Sequence, residues 1–236
     1  MQCSRASRRT GAHDDYLYAL APTGDMRFIH GTDESESIRS LVSGTKIMLA
    51  LAHEIPEFLN DQQSRNWDQL KYFGRMQELA GATMGILAFG ELGQAIARRA
   101  HGFDMDVYAV DIKPVQPPPE VRAVWPIERL DEMLRISDWL VVTAPLTNQT
   151  RGLIDRRRLQ LLKPGAGVVV VSRGNIVDEG ALIECLRTGQ ISGAGLDVTT
   201  VEPLPADSPL WDTPNVILSP HVSADSPQMW ERRRQT

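Results

Sequence analysis

Residues 81–99 read GATMGILAFGELGQAIARR. The apolar run through Leu87 predicts a buried strand, the spacing Ala88-x-Gly90-x-x-Gly93 a tight turn, and the residues from Leu92 onward a helix. In the dinucleotide fingerprint three glycines give the tight turn, the close approach of backbone to a pyrophosphate, and the close helix–strand packing. Here Ala88 holds the first place, and Gly90 and Gly93 hold the other two. Gly90 matters most for phosphate contact. Leu92 and Gly93 fall at the helix N-terminus, where free N–H groups and the helix dipole favour an anion. The next strand, MDVYAV, ends in Asp111, at the interval expected of an acid that accepts from ribose hydroxyls. Such a carboxylate repels a 2′-phosphate and so favours NAD over NADP, although Lys113 lies close enough to blur that preference. A loop acid ahead of Pro114 is the plainer alternative for Asp111.

Outward from this stretch, strand and helix alternate. Strands are predicted over 84–89, 106–110, 139–143, 167–171, 192–197 and 215–218, and helices over 92–102, 127–136, 155–162 and 178–188. The runs VVVV and WLVVT are apolar on both faces, as interior parallel strands require. This βαβα order predicts an α/β fold with a doubly wound parallel sheet. The proline-rich piece 113–119 reads as a surface loop. Upstream, residues 36–59 carry apolar side chains at helical spacing, weakened at Gly44, with Pro56 marking a kink or a late boundary. A polar stretch follows around residues 60–70. With little chain before it to cover it, the 36–59 stripe is expected to face a partner. Residues 1–35 show no period and are expected to be a poorly ordered remnant of a further lobe; 36–222 form the main domain, and 223–236 begin a helix.

The 236 residues carry a formal net charge of −5, which gives no electrostatic reason to expect a nucleic-acid partner. The basic clusters 156–158 and 232–234 read as solvated helix faces. Cys3 and Cys185 are far apart, so neither a disulfide framework nor a metal site is expected, and Cys185 reads as a small core or boundary residue. The apolar run at 47–52 is far too short to span a bilayer, and the Arg-rich N-terminus lacks an apolar signal core; the default expectation is a cytoplasmic protein.

Three polar residues end other strands. Arg173 follows four valines, at the carboxyl edge where parallel sheets bind ligands, and a guanidinium suits a two-point grip on a carboxylate. Glu202 lies in a proline-rich loop, and His221 follows Pro220 at the end of VILSP. Singly, each has a structural reading: Arg173 as a surface residue paired with Asp178 or Glu179, Glu202 as a surface acid, His221 as a hydrogen-bonded loop histidine. Together they make chemical sense, because a carboxylate beside an imidazole fixes its tautomer and keeps it able to deliver a proton near neutral pH.

With the fingerprint turn, the segments DWLVVTAPLTNQTRGLI, LLKPGAGVVVVSRGNIVDEGAL, GAGLDVTTVEPLP and SPHVSA resemble, in the same order, the Rossmann-like NAD-binding part of the D-isomer-specific 2-hydroxyacid dehydrogenases. The resemblance implies an oxidoreductase that interconverts 2-oxo acids and D-2-hydroxy acids. By it, Arg173 binds the substrate's carboxylate and carbonyl, His221 is the acid/base, and Glu202 holds His221. The cofactor would be contacted by Gly90, Glu91, Leu92, Gly93, Asp111, Thr143, Ala144, Pro145, Thr150, Ser172, Arg173, Asp197 and His221, with Asp197 on the nicotinamide amide. The 36–59 helix is similar to an interdomain helix that commonly helps form a homodimer. Glu202 argues against the formate dehydrogenase branch. Two departures stand out: Ala88 replaces a glycine, and residues 1–35 contain no match to the glycine-rich loop of the family's substrate lobe. A catalytically weak or inactive NAD-binding module is therefore the alternative expectation.

Overall fold

The computed structural model describes residues 43–222. The expected N-terminal remnant, the first turns of the 36–59 helix, the helix after residue 222 and the 232–234 basic cluster lie outside the described residues.

Seven strands form one sheet in the order β3-β2-β1-β4-β5-β6-β7. They are β1 Thr83–Leu87, β2 Asp106–Asp111, β3 Ala123–Pro126, β4 Trp139–Val142, β5 Ala166–Val170, β6 Ile191–Leu196 and β7 Val216–Leu218. Every pairing is parallel. Consecutive residues of β5 divide between two cores. Val168 and Val170 join Leu140, Val142 and Leu196 on one face, and Val169 joins Ile86, Val107 and Val141 on the other. A strand buried on both sides has no polar face to show, which is why its sequence reads as four valines. Strand order reverses between β1 and β4, and this places the crevice between their carboxyl ends, where a doubly wound sheet receives ligands.

Among the described residues the helices are α1 Ser43–Ala52, α2 Ile55–Ser64, α3 Glu91–His101, α4 Leu130–Ile136, α5 Arg156–Leu159 and α6 Glu179–Thr188. Four sequence expectations change in detail. The periodicity predicts no strand at β3: it is four residues long, lies at the sheet edge and ends in a proline, so it has neither a long apolar run nor a free final N–H. The predicted 127–136 helix opens with a 3₁₀ turn over Ile127–Arg129. The predicted 155–162 helix shrinks to α5, with Asp155 outside it as the cap that accepts from the Arg158 N–H at 2.8 Å. The 36–59 helix is two helices. Glu54 takes a left-handed conformation (φ 55°), and Pro56 sits in the first turn of α2, where a missing N–H costs nothing. Helix α2 then continues to Ser64, through residues that read as a polar stretch.

The apolar stripe of α1 is covered in part by the chain itself. It lies on β5 and β6, with Met48 and Ala52 buried. Two glycines make this seat possible: a Cβ at Gly195 would lie 1.9 Å from Ile47 Cγ2, and one at Gly193 would lie 3.1 Å from Leu51 Cδ2. The arginine cluster on α5 is tied down as well: Arg157 and Arg158 pair with Asp131, and Arg156 pairs with Glu184. Cys185 is buried, as its pattern predicts, and burial raises its thiol pKa.

Candidate active site

The turn after β1 is built from the backbone outward. Ala88 takes φ +74°, the left-handed region that favours glycine, so the alanine in the first fingerprint position carries strain a glycine would not. Its carbonyl is pinned by the Thr143 hydroxyl, which lies 2.7 Å from Ala88 O and 3.0 Å from Leu87 O. Thr143 thus ties the end of β4 to the turn after β1. Gly93 meets the underside of the same turn: a Cβ there would fall 2.6 Å from Ala88 O and 3.2 Å from Ile86 Cγ2. Gly90 is the opposite case. A Cβ at Gly90 would meet nothing within 4 Å, so the backbone at this position is open on its outer side. Gly90 is also the N-cap of α3, with no side-chain cap, and Glu91, Leu92 and Gly93 open the helix. Open backbone at an uncapped helix N-terminus is the arrangement that fits a pyrophosphate.

Asp111, at the end of β2, braces this cradle. Its Oδ2 accepts from the Phe89 N–H at 2.7 Å and its Oδ1 from the Lys113 N–H at 2.8 Å. Each oxygen keeps a further lone pair, so a ribose hydroxyl remains an acceptable partner. On the other side of the crevice, Thr150 Oγ1 donates to Pro145 O at 2.7 Å, which holds the 145–150 loop after the buried Ala144. Ser172 turns its hydroxyl to Val142 O at 3.2 Å. These residues fit a dinucleotide: a backbone opening for phosphate, an acid at the next strand end, and a loop wall facing them.

Three further strand ends supply the remaining groups. Arg173 follows β5. It is half-buried, and its Nη1 donates to Ser172 O at 2.6 Å. Burial lowers the pKa of the guanidinium from its ordinary value and the charge of Glu202 opposes that shift; the group keeps its proton at neutrality. Its two nearest acids in sequence serve other ends. Asp178 caps α6 by accepting from the Ala181 N–H at 3.0 Å, and Glu179 accepts from the Thr200 N–H at 2.9 Å. After β6 comes Asp197, 1% exposed, which accepts from the Ser219 hydroxyl and from the Val222 N–H at 3.2 Å. It therefore stitches the β6 end to the segment carrying His221. Glu202 and His221 meet directly, with His221 Nδ1 2.8 Å from Glu202 Oε2 and about a third of each side chain exposed. The other carboxylate oxygen of Glu202 accepts from the Thr199 N–H at 3.0 Å. His221 itself sits at φ 55°.

The sequence does not reveal Thr199, Gly174, Asn175 or Ser219, all of which shape this site. A Cβ at Gly174 would lie 2.2 Å from Thr199 C, and Asn175 Nδ2 donates to Thr200 O at 3.2 Å. Such contacts join a side chain to backbone of a distant loop and leave no spacing signal; only the glycine after Arg173 hints at a close approach. A cleft of about 250 Å³ lies at the opposite, amino edge of the sheet. On its wall Arg75 pairs with both Glu54 and Glu57, and the cleft has no part in the arrangement above.

Among the described residues no helix is long and apolar enough to cross a membrane. The family model for the D-isomer specific 2-hydroxyacid dehydrogenase, NAD binding domain, matches residues 45–223. The D-3-phosphoglycerate dehydrogenase of Rattus norvegicus is 34% identical over 226 residues, 95% of this chain and 41% of that protein. The glyoxylate/hydroxypyruvate reductase B of Pectobacterium carotovorum is 41% identical over 182 residues, 75% of this chain and 56% of that protein. Among solved structures, a D-isomer specific 2-hydroxyacid dehydrogenase from Xanthobacter autotrophicus in complex with NADPH superposes with a TM-score of 0.72 at 35% identity, covering 84% of this chain and 64% of the other. The chain spans about half the length of the curated relatives it matches. By the extent of these matches, and by a seven-stranded parallel sheet with the nucleotide turn at its reversal point, the chain belongs to the D-isomer-specific 2-hydroxyacid dehydrogenase family and carries its NAD-binding domain.

Proposed function

We propose that this chain carries the cofactor-binding and proton-transfer half of an NAD-dependent oxidoreductase that interconverts a 2-oxo acid and a D-2-hydroxy acid. The observation that carries the proposal is the 2.8 Å contact between His221 Nδ1 and Glu202 Oε2. Two residues nineteen apart in sequence meet at the same sheet edge as a half-buried arginine. With Nδ1 directed at a carboxylate, Nε2 is the ring nitrogen that exchanges a proton with the substrate oxygen, and Glu202 stabilises the imidazolium formed when the proton returns. Arg173 grips the substrate carboxylate and polarises the adjacent carbonyl. A bound nicotinamide supplies or accepts the hydride at the substrate's C2. Gly90, Glu91, Leu92 and Gly93 would hold its pyrophosphate, Asp111 the ribose, and Thr143, Ala144, Pro145, Thr150, Ser172 and Asp197 the walls around the ring. Asp111 favours NAD over NADP, because a 2′-phosphate would meet a carboxylate already fixed in place by two backbone N–H groups.

NADH oxidation with glyoxylate, pyruvate, hydroxypyruvate and phenylpyruvate, run beside fluorescence titration of NADH and NADPH, tests this reading. Turnover with one of these acids, lost in His221→Ala while NADH affinity is kept, supports it. Arg173→Ala should raise KM as well as lower kcat. Cofactor binding without turnover by any of the acids would instead mark a binding module. NADPH bound as tightly as NADH would refute the role of Asp111.

The same reading includes a homodimer. Its surface is the segment running from α2 to β1. Trp67, Leu70 and Phe73 are 96%, 83% and 89% exposed, and Leu59 and Met76 are open beside them in sequence. Some charged residues of this segment are tied to one another. Lys71 pairs with Asp61 and Glu57, Arg75 pairs with Glu54 and Glu57, and the Tyr72 hydroxyl donates to Asp61. Five large apolar side chains open to water within eighteen residues are more than a solvated segment needs, and a second copy of the same segment is the self-complementary cover. Sedimentation should give twice the chain mass, falling to one chain mass in Trp67→Glu/Phe73→Glu; a wild-type monomer would overturn it.

A further inference from the structure

Arg173 and Glu202 belong to different loops, and the chemistry proposed above needs them at a fixed separation. Residues 199–203 of the Glu202 loop are largely exposed, so burial contributes little to keeping the loop in place. We propose that Glu179 and Asn175 are positioning residues, which clamp the main chain of Thr200 from both sides and so hold Glu202 and His221 in register with Arg173. This inference rests on the reading of Arg173, Glu202 and His221 given above.

The clamp can be followed atom by atom. Glu179 Oε2 accepts from the Thr200 N–H at 2.9 Å, and Asn175 Nδ2 donates to Thr200 O at 3.2 Å. Both polar groups of one peptide-bearing residue are therefore satisfied by the segment that begins at Arg173. Between these two bonds, Gly174 lies against the Thr199 backbone so closely that any Cβ would fall 2.2–2.3 Å from Thr199 C and O. From Thr199 the path continues through its N–H to Glu202 Oε1 at 3.0 Å, then through Glu202 Oε2 to His221 Nδ1 at 2.8 Å. The Thr199 hydroxyl donates to Val201 O at 2.8 Å and stiffens the intervening turn.

The other end of the clamp is anchored on firm structure. Glu179 is the first residue of α6, where the helix dipole favours a carboxylate, next to the Asp178 cap. The Asn175 carbonyl accepts from the Gly152 N–H at 2.9 Å and the Ile176 carbonyl from the Ile154 N–H at 3.0 Å. The clamp thus joins the wall of the cofactor crevice, the Arg173 segment and the Glu202 loop. A displacement of about 1 Å in such a constellation costs on the order of a hundredfold in rate.

The test reads the ring of His221 as well as turnover. In ¹⁵N-histidine-labelled protein, at a pH where the ring is neutral, nitrogen shifts report the ratio of the Nδ1–H to the Nε2–H tautomer. Wild type should hold the Nδ1–H form that faces Glu202, and Glu202→Ala should release the ring to the Nε2–H form. Glu179→Ala and Asn175→Ala should each lower the ratio at least about threefold, with kcat down about tenfold and NADH affinity unchanged. Glu179→Gln keeps an acceptor oxygen at the same place and should restore both. Asn175→Ala reaches Thr200 from the other side, so the test survives if Glu179→Ala does not fold. A ratio unchanged in Glu179→Ala and Asn175→Ala, with Glu202→Ala still releasing the ring, would overturn the clamp and leave the catalytic pair standing. A ring unmoved by Glu202→Ala would overturn the pair and the clamp with it.

Discussion

Two glycines three residues apart should fail in opposite ways. At Gly90 a methyl group meets nothing within 4 Å, and the backbone (φ −72°, ψ −168°) is one that alanine adopts freely. Gly90→Ala removes unfolded-state entropy, a gain of about 0.4–1 kcal/mol. It also places a poorer residue at the α3 N-cap, a loss of roughly 0.5–1 kcal/mol. The two terms nearly cancel, so at about 2–4 °C per kcal/mol the thermal midpoint should stay within a few degrees of wild type. The cofactor response should be large, because the methyl stands between backbone N–H groups and the incoming pyrophosphate. A loss of one charge-assisted backbone contact is worth about 1.5–3 kcal/mol, or roughly ten- to a hundredfold in Kd. At Gly93 the methyl would sit 2.6 Å from Ala88 O, an atom already held by Thr143, so neither side can yield cheaply. Gly93→Ala should cost about 1–3 kcal/mol of stability and lower the midpoint by roughly 2–12 °C. Thermal denaturation by circular dichroism and NADH fluorescence titration on both variants give the comparison. Wild-type NADH affinity in Gly90→Ala would refute the claim that phosphate approaches this backbone. A midpoint unaffected in Gly93→Ala would refute the packing argument.

Other substitutions probe the frame around the site. Ala88→Gly relieves a left-handed alanine and should stabilise the chain by about 1 kcal/mol, read as a raised denaturant midpoint; an unchanged or lowered midpoint would remove the strain argument. Arg157 and Arg158 hold the Asp131 carboxyl down to about 2 from its ordinary 3.8. A depressed carboxyl contributes stability that is fully present above pH 4 and is lost as pH falls through about 2. The pair is partly exposed, so wild type should exceed Asp131→Asn by no more than about 1 kcal/mol near neutrality, and urea midpoints should converge toward pH 2. A difference that persists at pH 2 would point to packing instead. Gly195→Ala should cost about 1–3 kcal/mol by striking Ile47, and much of that loss should return in the Ile47→Ala background; strict additivity in the double variant would refute the seating of Ile47 on Gly195.

The fold was legible because its signals are local. The valines of β5 announce a strand buried on both faces, and the spacing of Gly90, Gly93 and Asp111 announces a turn, a helix and a second strand. What escaped has a common cause. The strand β3 is short and proline-ended, so periodicity has nothing to work on. The break at Glu54 is a backbone choice that Pro56 only brackets. The stripe on α1 looked unpartnered because its cover is a pair of glycines, Gly193 and Gly195, about 150 residues later, and a glycine advertises no surface. In the site, Arg173, Glu202 and His221 could be selected by residue type and position at strand ends. Their mutual distances rest on Thr199, Thr200 and Asn175, whose parts are played by backbone atoms or a single amide.

A pattern in who bonds whom bears on what this edge of the sheet accepts. Its carboxylates are occupied with shaping loops. Asp111 holds Phe89 and Lys113, Asp197 holds Ser219 and Val222, and Glu202 holds Thr199 and His221. The Thr143 hydroxyl is likewise turned onto the carbonyls of Leu87 and Ala88. Beside these acids stand donors and cations: the uncapped first turn of α3, the half-buried guanidinium of Arg173 and the ring of His221. Donors and cations gathered along one edge suit anions, and its two ends suit different ones. Backbone N–H groups at a helix start match the spread charge of a pyrophosphate, while a planar guanidinium beside an imidazole matches a carboxylate next to a carbonyl. On the reading proposed above, the pyrophosphate and the 2-oxo acid would meet donors, while Asp111 keeps lone pairs for a ribose hydroxyl. The amide in Asp111→Asn or Glu202→Gln has one acceptor oxygen where the carboxylate uses two, so each substitution should loosen the braced loop and lower the urea midpoint as well as remove a charge.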